Sequence, residues 1–213
     1  MNRRSVSELA PQTLRERHRS TTIETVLAAA EQVFADQGLH AAHMGEIASR
    51  AGVSVGTLYN HFKDREALLA GLLEARRAEM IAQLDEAMRS AADRPPVERL
   101  RVMVETMLLH KSRHRKFLQI LLQGEIGRYE NTFPSACRMP GATLHEIHGR
   151  FEKVVRQAVK DGSLRAGIEA TAPMFLMGMV RSLAIRDAMR EEQGDPLADA
   201  AELFDLFLKG ARA

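Results

Sequence analysis

The sequence predicts an all-α protein of about nine helices, and three observations carry that expectation. Apolar residues recur at three- and four-residue intervals along most of the chain, the period of an amphipathic helix. Strand signals are nearly absent: there are no alternating Val/Ile/Thr runs and no Asn-Gly hairpin turn. Glycines, prolines and capping residues then cut the periodic stretches into segments of helical length.

The first strong helix is expected to begin at Thr21, where Thr21-Thr22-Ile23-Glu24 has the capping-box pattern. Ile23, Val26, Leu27, Ala30, Val33 and Phe34 share one face, and Gly38 ends the helix. A short helix over about 44–51 turns Ile47, Ala48 and Ala51 inward before Gly52 breaks it. Ser54 is a good N-cap for a second short helix, about 55–62. Asp64 then caps a long helix whose stripe is Leu69, Leu72, Leu73, Met80, Leu84 and Met88, closed by Pro95-Pro96. Further helices are expected over about 96–112, 115–128, 141–162, 170–192 and 195–211.

The chain has 213 residues, enough for one large core or for two domains that share a helix. Its 45% hydrophobic and 27% charged content is that of an ordinary folded protein. A single cysteine, Cys137, excludes an internal disulfide, and with no leader sequence visible a cytoplasmic location is expected. The longest apolar run, residues 174–180, ends at Arg181 and falls far short of the ~20 residues that span a bilayer, so no membrane partner is expected. Net charge is only +2, yet Arg3, Arg4, Arg15, Arg17 and Arg19 crowd residues 1–20. That segment reads as a flexible basic arm able to touch phosphates, or as a plain solvated leader.

Two short helices joined by a tight turn, with a helix packed behind them, make a helix-turn-helix. Here the turn is Ala51-Gly52-Val53-Ser54, and Gly52 supplies the left-handed backbone that stops the first helix sharply. In the second helix Leu58 and Phe62, four apart, can face the core. Ser54, Val55, Gly56, Thr57, Tyr59, Asn60 and His61 then remain for DNA. Gly56 permits close backbone approach, and the Thr57 and Tyr59 hydroxyls suit phosphates. Val55 suits a thymine methyl, and Asn60 and His61 suit a base edge or a phosphate. Lys63 and Arg65 sit where the chain would leave the groove, suited to clamping phosphates, and His43 precedes the first short helix as a cap and phosphate contact.

The run from Ile47 through Ala51-Gly52-Val53-Ser54-Val55-Gly56-Thr57-Leu58-Tyr59-Asn60-His61-Phe62 to Leu69 closely resembles the TetR family signature. Residues 29–38 are similar to that family's first helix ending in Gly. The resemblance covers roughly residues 20–70. It implies a DNA-binding domain over 21–66 and a ligand-binding and dimerisation domain over 67–213, joined by a long fourth helix. It also implies that the last two helices pair with their copies as a four-helix dimer interface. Ligand binding would move the fourth helix, spread the two heads and release a palindromic operator. One departure is Ala42-His43-Met44-Gly45, where the family is usually Thr/Ser-rich with a basic residue nearby.

In the body, Met103, Met107, Phe117, Leu121, Phe133, Leu144, Phe151, Met174, Phe175 and Met177 are either ordinary core or the lining of an adaptable apolar pocket. The resemblance favours the pocket, with His110, Glu125, Arg128 and Arg181 as candidate polar anchors. Glu125 in the pocket would suit a cationic effector; Arg128 or Arg181 would suit an anionic one. Leu183, Leu197, Ala201, Phe204, Phe207 and Leu208 are expected at the dimer interface. The His110/His114 and His145/His148 pairs have the spacing of metal ligands on one helix face. The first lies in a basic run that would repel a cation, the second lacks partners, and neither metal nor cofactor is expected. Cys137 beside Arg138 is an incidental thiol or a redox sensor. The chain contains no Gly-rich phosphate loop and no Ser-nucleophile motif. The expected function is thus a ligand-responsive repressor binding double-stranded DNA as a homodimer and answering a small-molecule effector. The alternatives are a ligand-independent DNA-binding protein and, last, an all-helical enzyme.

Overall fold

The computed structural model describes residues 13–120, 141–190 and 194–211. Eight helices are assigned among them: α1 (Leu14–Gln37), α2 (Met44–Arg50), α3 (Val55–His61), α4 (Arg65–Ser90), α5 (Pro96–Arg113), α6 (Gly141–Lys160), α7 (Ala172–Met189) and α8 (Pro196–Ala211). Residues 115–120 are also helical after a turn at His114. The described residues contain no strand, as the patterning predicts.

The first helix begins at Leu14, not at Thr21. The expected capping box is absent because the hydroxyls of Thr21, Thr22 and Thr25 donate back to the carbonyls of Arg17, His18 and Thr21, at 3.0, 2.8 and 2.8 Å. Such bonds satisfy the hydroxyls inside a helix and remove the reason to start one there. Residues 14–20 of the expected flexible arm are therefore helical, and residues 1–12 lie outside the described residues.

Two apolar cores form, and α4 serves both. In the head, Val26, Ala30, Val33 and Phe34 of α1 pack on Ile47, Ala48, Leu58 and on Leu68, Leu69 and Leu72 of α4. Farther along, Met80 and Leu84 of α4 enter the body core with Leu100, Met103, Val104 and Met107 of α5. Phe151, Val154 and Val155 of α6, Leu176 and Val180 of α7, and Leu203 and Phe204 of α8 complete it. Between the two sets Arg76 interrupts the α4 stripe. Its guanidinium pairs with Glu31 of α1 at 2.6 Å, so the polar step between the cores is itself a bridge.

Two groups of expected site residues lie in or against the protomer's apolar cores. Phe204, Phe207 and Leu208, expected on a dimer face, are buried in the protomer's own core. The Phe204 and Phe207 ring centroids lie 6.0 Å apart, and the Arg101 guanidinium sits 5.3 Å from the Phe204 centroid. They face inward because α8 lies along α5, the central helix of the body. Phe117, expected to line a body pocket, instead packs with buried Ile120 against the head core. The chain after α5 runs back toward α1, where Lys116 bonds Asp36 at 2.9 Å.

Two ion pairs tie α4 to α6 on its other side. Arg150 of α6 meets both Asp85 oxygens, at 2.8 and 3.0 Å, in a bidentate pair. Arg77 reaches Glu146 of α6 at 2.9 Å.

The α3–α4 joint depends on a glycine. A Cβ on Gly71 would stand 2.7 Å from the Phe62 ring, so the absence of a side chain there is what lets Phe62 fold back on α4. Gly71→Val is expected to displace Phe62 and destabilise the protein by ~1–3 kcal/mol, the usual cost of overpacking. Gly71→Ala is expected to cost less, since alanine is the better helix former by about 1 kcal/mol. Thermal melts of both variants check the order; equal midpoints for wild type and Gly71→Val would show the contact to be slack.

Candidate nucleic-acid interface

The turn between α2 and α3 closes with two backbone bonds. Gly52 N donates to Ser49 O at 3.1 Å and Val53 N to Ala48 O at 3.0 Å, the Schellman pattern. It requires a left-handed residue after the helix end, and Gly52 supplies it at φ 67°. Ser54 then caps α3, its Oγ accepting from Thr57 N at 3.0 Å. The same Oγ lies 2.8 Å from the Thr57 hydroxyl. Both hydroxyls, expected at DNA, are thus engaged in shaping the start of the helix.

With Leu58 buried and Phe62 turned toward α4, the opposite face of α3 is bare. Val55 is 45% and Tyr59 49% exposed. Gly56 and Asn60 are exposed too, and His61 is half-buried. This is a solvent-facing surface of a methyl cluster, a phenol and an amide, chemistry that suits base edges and phosphates. Beside it a cleft of about 670 Å³ is lined by Ala42, His43, Met44, Gly45, Tyr59, Lys63, Asp64, Arg65 and Glu66. The side chain of His43, the α2 N-cap, makes no capping bond. The Glu46 amide bonds the His43 carbonyl at 3.1 Å, which leaves the Met44 and Gly45 amides for an outside acceptor such as a phosphate oxygen. Met44 and Gly45 supply no side-chain donor, but they offer backbone N–H groups without obstruction.

The two basic residues at the exit behave differently. Lys63 is exposed, with only a 3.8 Å approach to Asp64. Arg65 donates to the carbonyl of His40 at 2.6 Å, which fixes the loop before α2. Asp64 accepts from Ala67 N at 2.7 Å and caps α4. Of the expected phosphate clamps, Lys63 is free to reach outward while Arg65 braces the head.

The expected body residues divide. Met103, Phe151 and Met107 lie in the body core, and Met177 packs partly buried against it. Met174 is 66% exposed, away from that core, with Phe175 next to it at 68%. Leu121, Glu125, Arg128, Phe133 and Cys137 lie outside the described residues, and nothing is described of the Leu144 side chain. Leu183 is half-buried against the core, while Leu197 and Ala201 are exposed. Together Phe175, Gly178, Ser182, Ile185 and Met189 follow a three-four spacing along one side of α7. Leu206, 56% exposed, lies on the solvent side of α8.

His110 does not line the apolar core alone; it belongs to a polar joint between the cores. Its Nδ1 is 3.0 Å from Gln83 Oε1. Burial, aided by neighbouring His114, pushes its pKa down to about 4, so the ring is neutral near pH 7. His114 is held above the ordinary histidine value, by Glu31 3.8 Å from Nδ1 and, against the cost of burial, by Glu79 3.0 Å from Nε2. Burial opposes the charge on Glu31, but His114 and Arg76 outweigh it and keep that carboxyl ionised. Glu31 escapes a hydrophobicity reading because it sits on the apolar face itself, at i+4 from Leu27. That intrusion is the signal that finds it. Lys111 is likewise unassigned by sequence; burial and then Arg181 push its amine down to about 8.

Residues 26–72 match the sequence model described as bacterial regulatory proteins, tetR family. The chain is 41% identical over 80 residues to the HTH-type transcriptional activator FasR of Mycolicibacterium smegmatis, a match covering 38% of this chain and 36% of that one. It thus spans little more than a third of that relative. It is 22% identical over 186 residues to the fatty acid metabolism regulator protein of Bacillus subtilis, covering 87% of this chain and 93% of the other. Among solved structures, the fatty acid degradation regulator FadR from Bacillus halodurans shares the fold at TM-score 0.72 and 21% identity, over 88% of this chain and 94% of its own. SmeT, the repressor of the Stenotrophomonas maltophilia multidrug efflux pump SmeDEF, shares it at TM-score 0.69 and 24% identity, over 90% and 92%. These relatives are regulators, not enzymes.

The exposed face and the free lysine differ in what they can sense. Tyr59→Ala is expected to weaken binding to every duplex, whereas Asn60→Ala and Val55→Ala change the order of preferred sites. Lys63→Ala is expected to lower affinity uniformly and to reduce the salt slope by about one. Anisotropy titrations on a panel of duplexes at several salt concentrations check this. An equal, sequence-blind loss for all four variants would remove the base-reading role of α3.

Proposed function

We propose that this chain, a transcriptional regulator with the TetR-family DNA-binding head over residues 26–72, is a cytoplasmic, effector-released repressor that grips a palindromic operator as a homodimer. The observation that carries the reading is the bare face of α3, exposed at Val55 and Tyr59 on a head whose core is otherwise closed. No helix among the described residues is long and apolar enough to cross a membrane. In the dimer, the two α3 helices enter successive major grooves roughly 34–36 Å apart.

A second copy of the chain accounts for the exposed apolar residues of α7 and α8. Phe175, Met189 and Leu206 are 68, 78 and 56% exposed, large side chains that water solvates poorly. Phe175→Arg and Leu206→Arg are expected to halve the mass in solution while leaving helicity intact. Phe204→Arg is expected to unfold the body, because that ring is 1% exposed. Light scattering and circular dichroism distinguish the cases; an unchanged mass for both exposed-site variants would move the interface elsewhere.

The effector is an apolar molecule carrying an acid group. The lowered amine of Lys111 beside Arg181 supports the acid. Met103, Met107 and Phe151 support the apolar part. A relative named for fatty acid metabolism supports a fatty acid. The shared helix α4 supports the coupling, since a ligand that shifts Met80 and Leu84 also shifts Leu68 and Leu72.

The test is anisotropy of the protein on duplexes from upstream of its own gene, with fatty acids, their neutral esters and unrelated cations added. Loss of binding with the acids, weakened at least tenfold in Lys111→Met, is the expected result. Release by esters and acids alike would remove the acid anchor. Binding that no compound disturbs would favour a ligand-independent regulator.

A further inference from the structure

The polar joint between the two cores has a donor set that repression does not use. We propose that Glu79, His110 and His114 bind a divalent transition-metal ion such as Zn²⁺ between α4 and α5. One ligand atom from each of the three residues lies within 4.8 Å of the others. The histidines are four residues apart at the end of α5, His110 in its last turn and His114 as its C-cap, with ring centroids 4.6 Å from each other, so both face the same space. Glu79 reaches that space from α4, its Oε1 3.0 Å from His114 Nε2. Around a four-coordinate ion with bonds of about 2.0–2.2 Å, ligand atoms stand roughly 3.3–3.6 Å apart. Side-chain rotations that draw the widest separation in by about an ångström, and part Glu79 Oε1 and His114 Nε2 by a few tenths, therefore complete the site, with a fourth position left for water.

The surroundings are those of a metal site's outer shell. A ligating histidine is normally held through its other ring nitrogen by an oxygen acceptor. Gln83 Oε1 lies 3.0 Å from His110 Nδ1 in that way, while Glu31 Oε1, 3.8 Å from His114 Nδ1, faces it at ion-pair distance, close enough to accept after a small rotation. Arg76 donates to Glu79 Oε2 at 3.1 Å, which orients the carboxylate and leaves Oε1 toward the histidines. Charge agrees. Glu31 and Glu79 bring two carboxylates to the joint beside the one guanidinium of Arg76. The basic run around His114 argues against a cation when read along the sequence. Across the helix gap, however, the fold supplies two glutamates, from α1 and α4. Two imidazoles and a carboxylate suit Zn²⁺, Co²⁺ or Ni²⁺ rather than Ca²⁺ or Mg²⁺.

The test uses the full chain without an affinity tag, stripped with chelator and free of DNA, so its outcome is independent of the repressor reading. Co²⁺ is titrated and followed by its visible ligand-field bands, then displaced with Zn²⁺, and thermal melts are run at about a hundredfold excess of Zn²⁺ over Kd. One Co²⁺ per chain is expected, with a midpoint rise of roughly 5–10 °C in Zn²⁺. Glu79→Gln and the double variant His110→Gln/His114→Gln are expected to lose both signals, while His145→Gln/His148→Gln keeps them. Glu31→Gln, outside the ligand set, is expected to weaken Co²⁺ binding about tenfold, and it serves where the double variant does not fold. A wild type with neither bands nor midpoint shift overturns the proposal. So does a response that survives Glu79→Gln and disappears with His145 and His148, or one that Glu31→Gln leaves unchanged.

Discussion

Helix α4 belongs to two cores at once, and this sharing constrains everything else in the chain. Leu68, Leu69 and Leu72 are fully or almost fully buried in the head, and Met80 and Leu84 in the body. Each buried leucine contributes about 1.5–3 kcal/mol, whereas a largely buried ion pair such as Arg76–Glu31 spends most of its attraction on its own desolvation. Adhesion of the head to α4 is therefore apolar. The Arg76–Glu31 pair and the Glu79–His114 contact do a different job: they fix rotation and register where the two stripes meet. A helix held rigidly at both ends transmits a displacement of one end to the other.

The head shows how little sequence is needed to aim α3. Gly52 takes the left-handed conformation, Val53 N reaches back to Ala48 O, and Ser54 caps α3 three residues before Thr57. These local bonds set the direction in which α3 leaves the turn. Leu58 then anchors the helix in the core, and Phe62 lies over Gly71. With those two positions fixed, the exposure of Val55, Tyr59 and Asn60 follows from a period of 3.6 residues. The hydroxyls of Ser54 and Thr57 and the guanidinium of Arg65 support that frame from within.

The sequence by itself determined the helix-turn-helix, the bare face of α3 and the all-helical class. Each rests on signals a few residues apart: the Gly52 turn, the Ser54 cap and the helical period that puts Leu58 and Phe62 on one side. The start of α1 shows the limit of that reasoning. The Thr21-Glu24 pattern is a sound local signal, but the hydroxyls found carbonyls one turn back and the helix continued to Leu14.

Tertiary structure decided which side of each body helix faces what. Phe204, Phe207 and Leu208 form a stripe that a periodicity reading cannot assign to a partner or to the protomer; the packing of α8 along α5 turned it inward. The apolar residues left outside, Phe175 and Met189 on α7 and Leu206 on α8, became visible only as a remainder. Phe117 went to the head because the chain after α5 turns back toward α1. The meeting of Glu31, Arg76, Glu79, His110 and His114 spans 83 positions of sequence. No local propensity encodes such a meeting: it exists because three helices cross where the two cores adjoin, and only the fold brings those charges within a few ångströms.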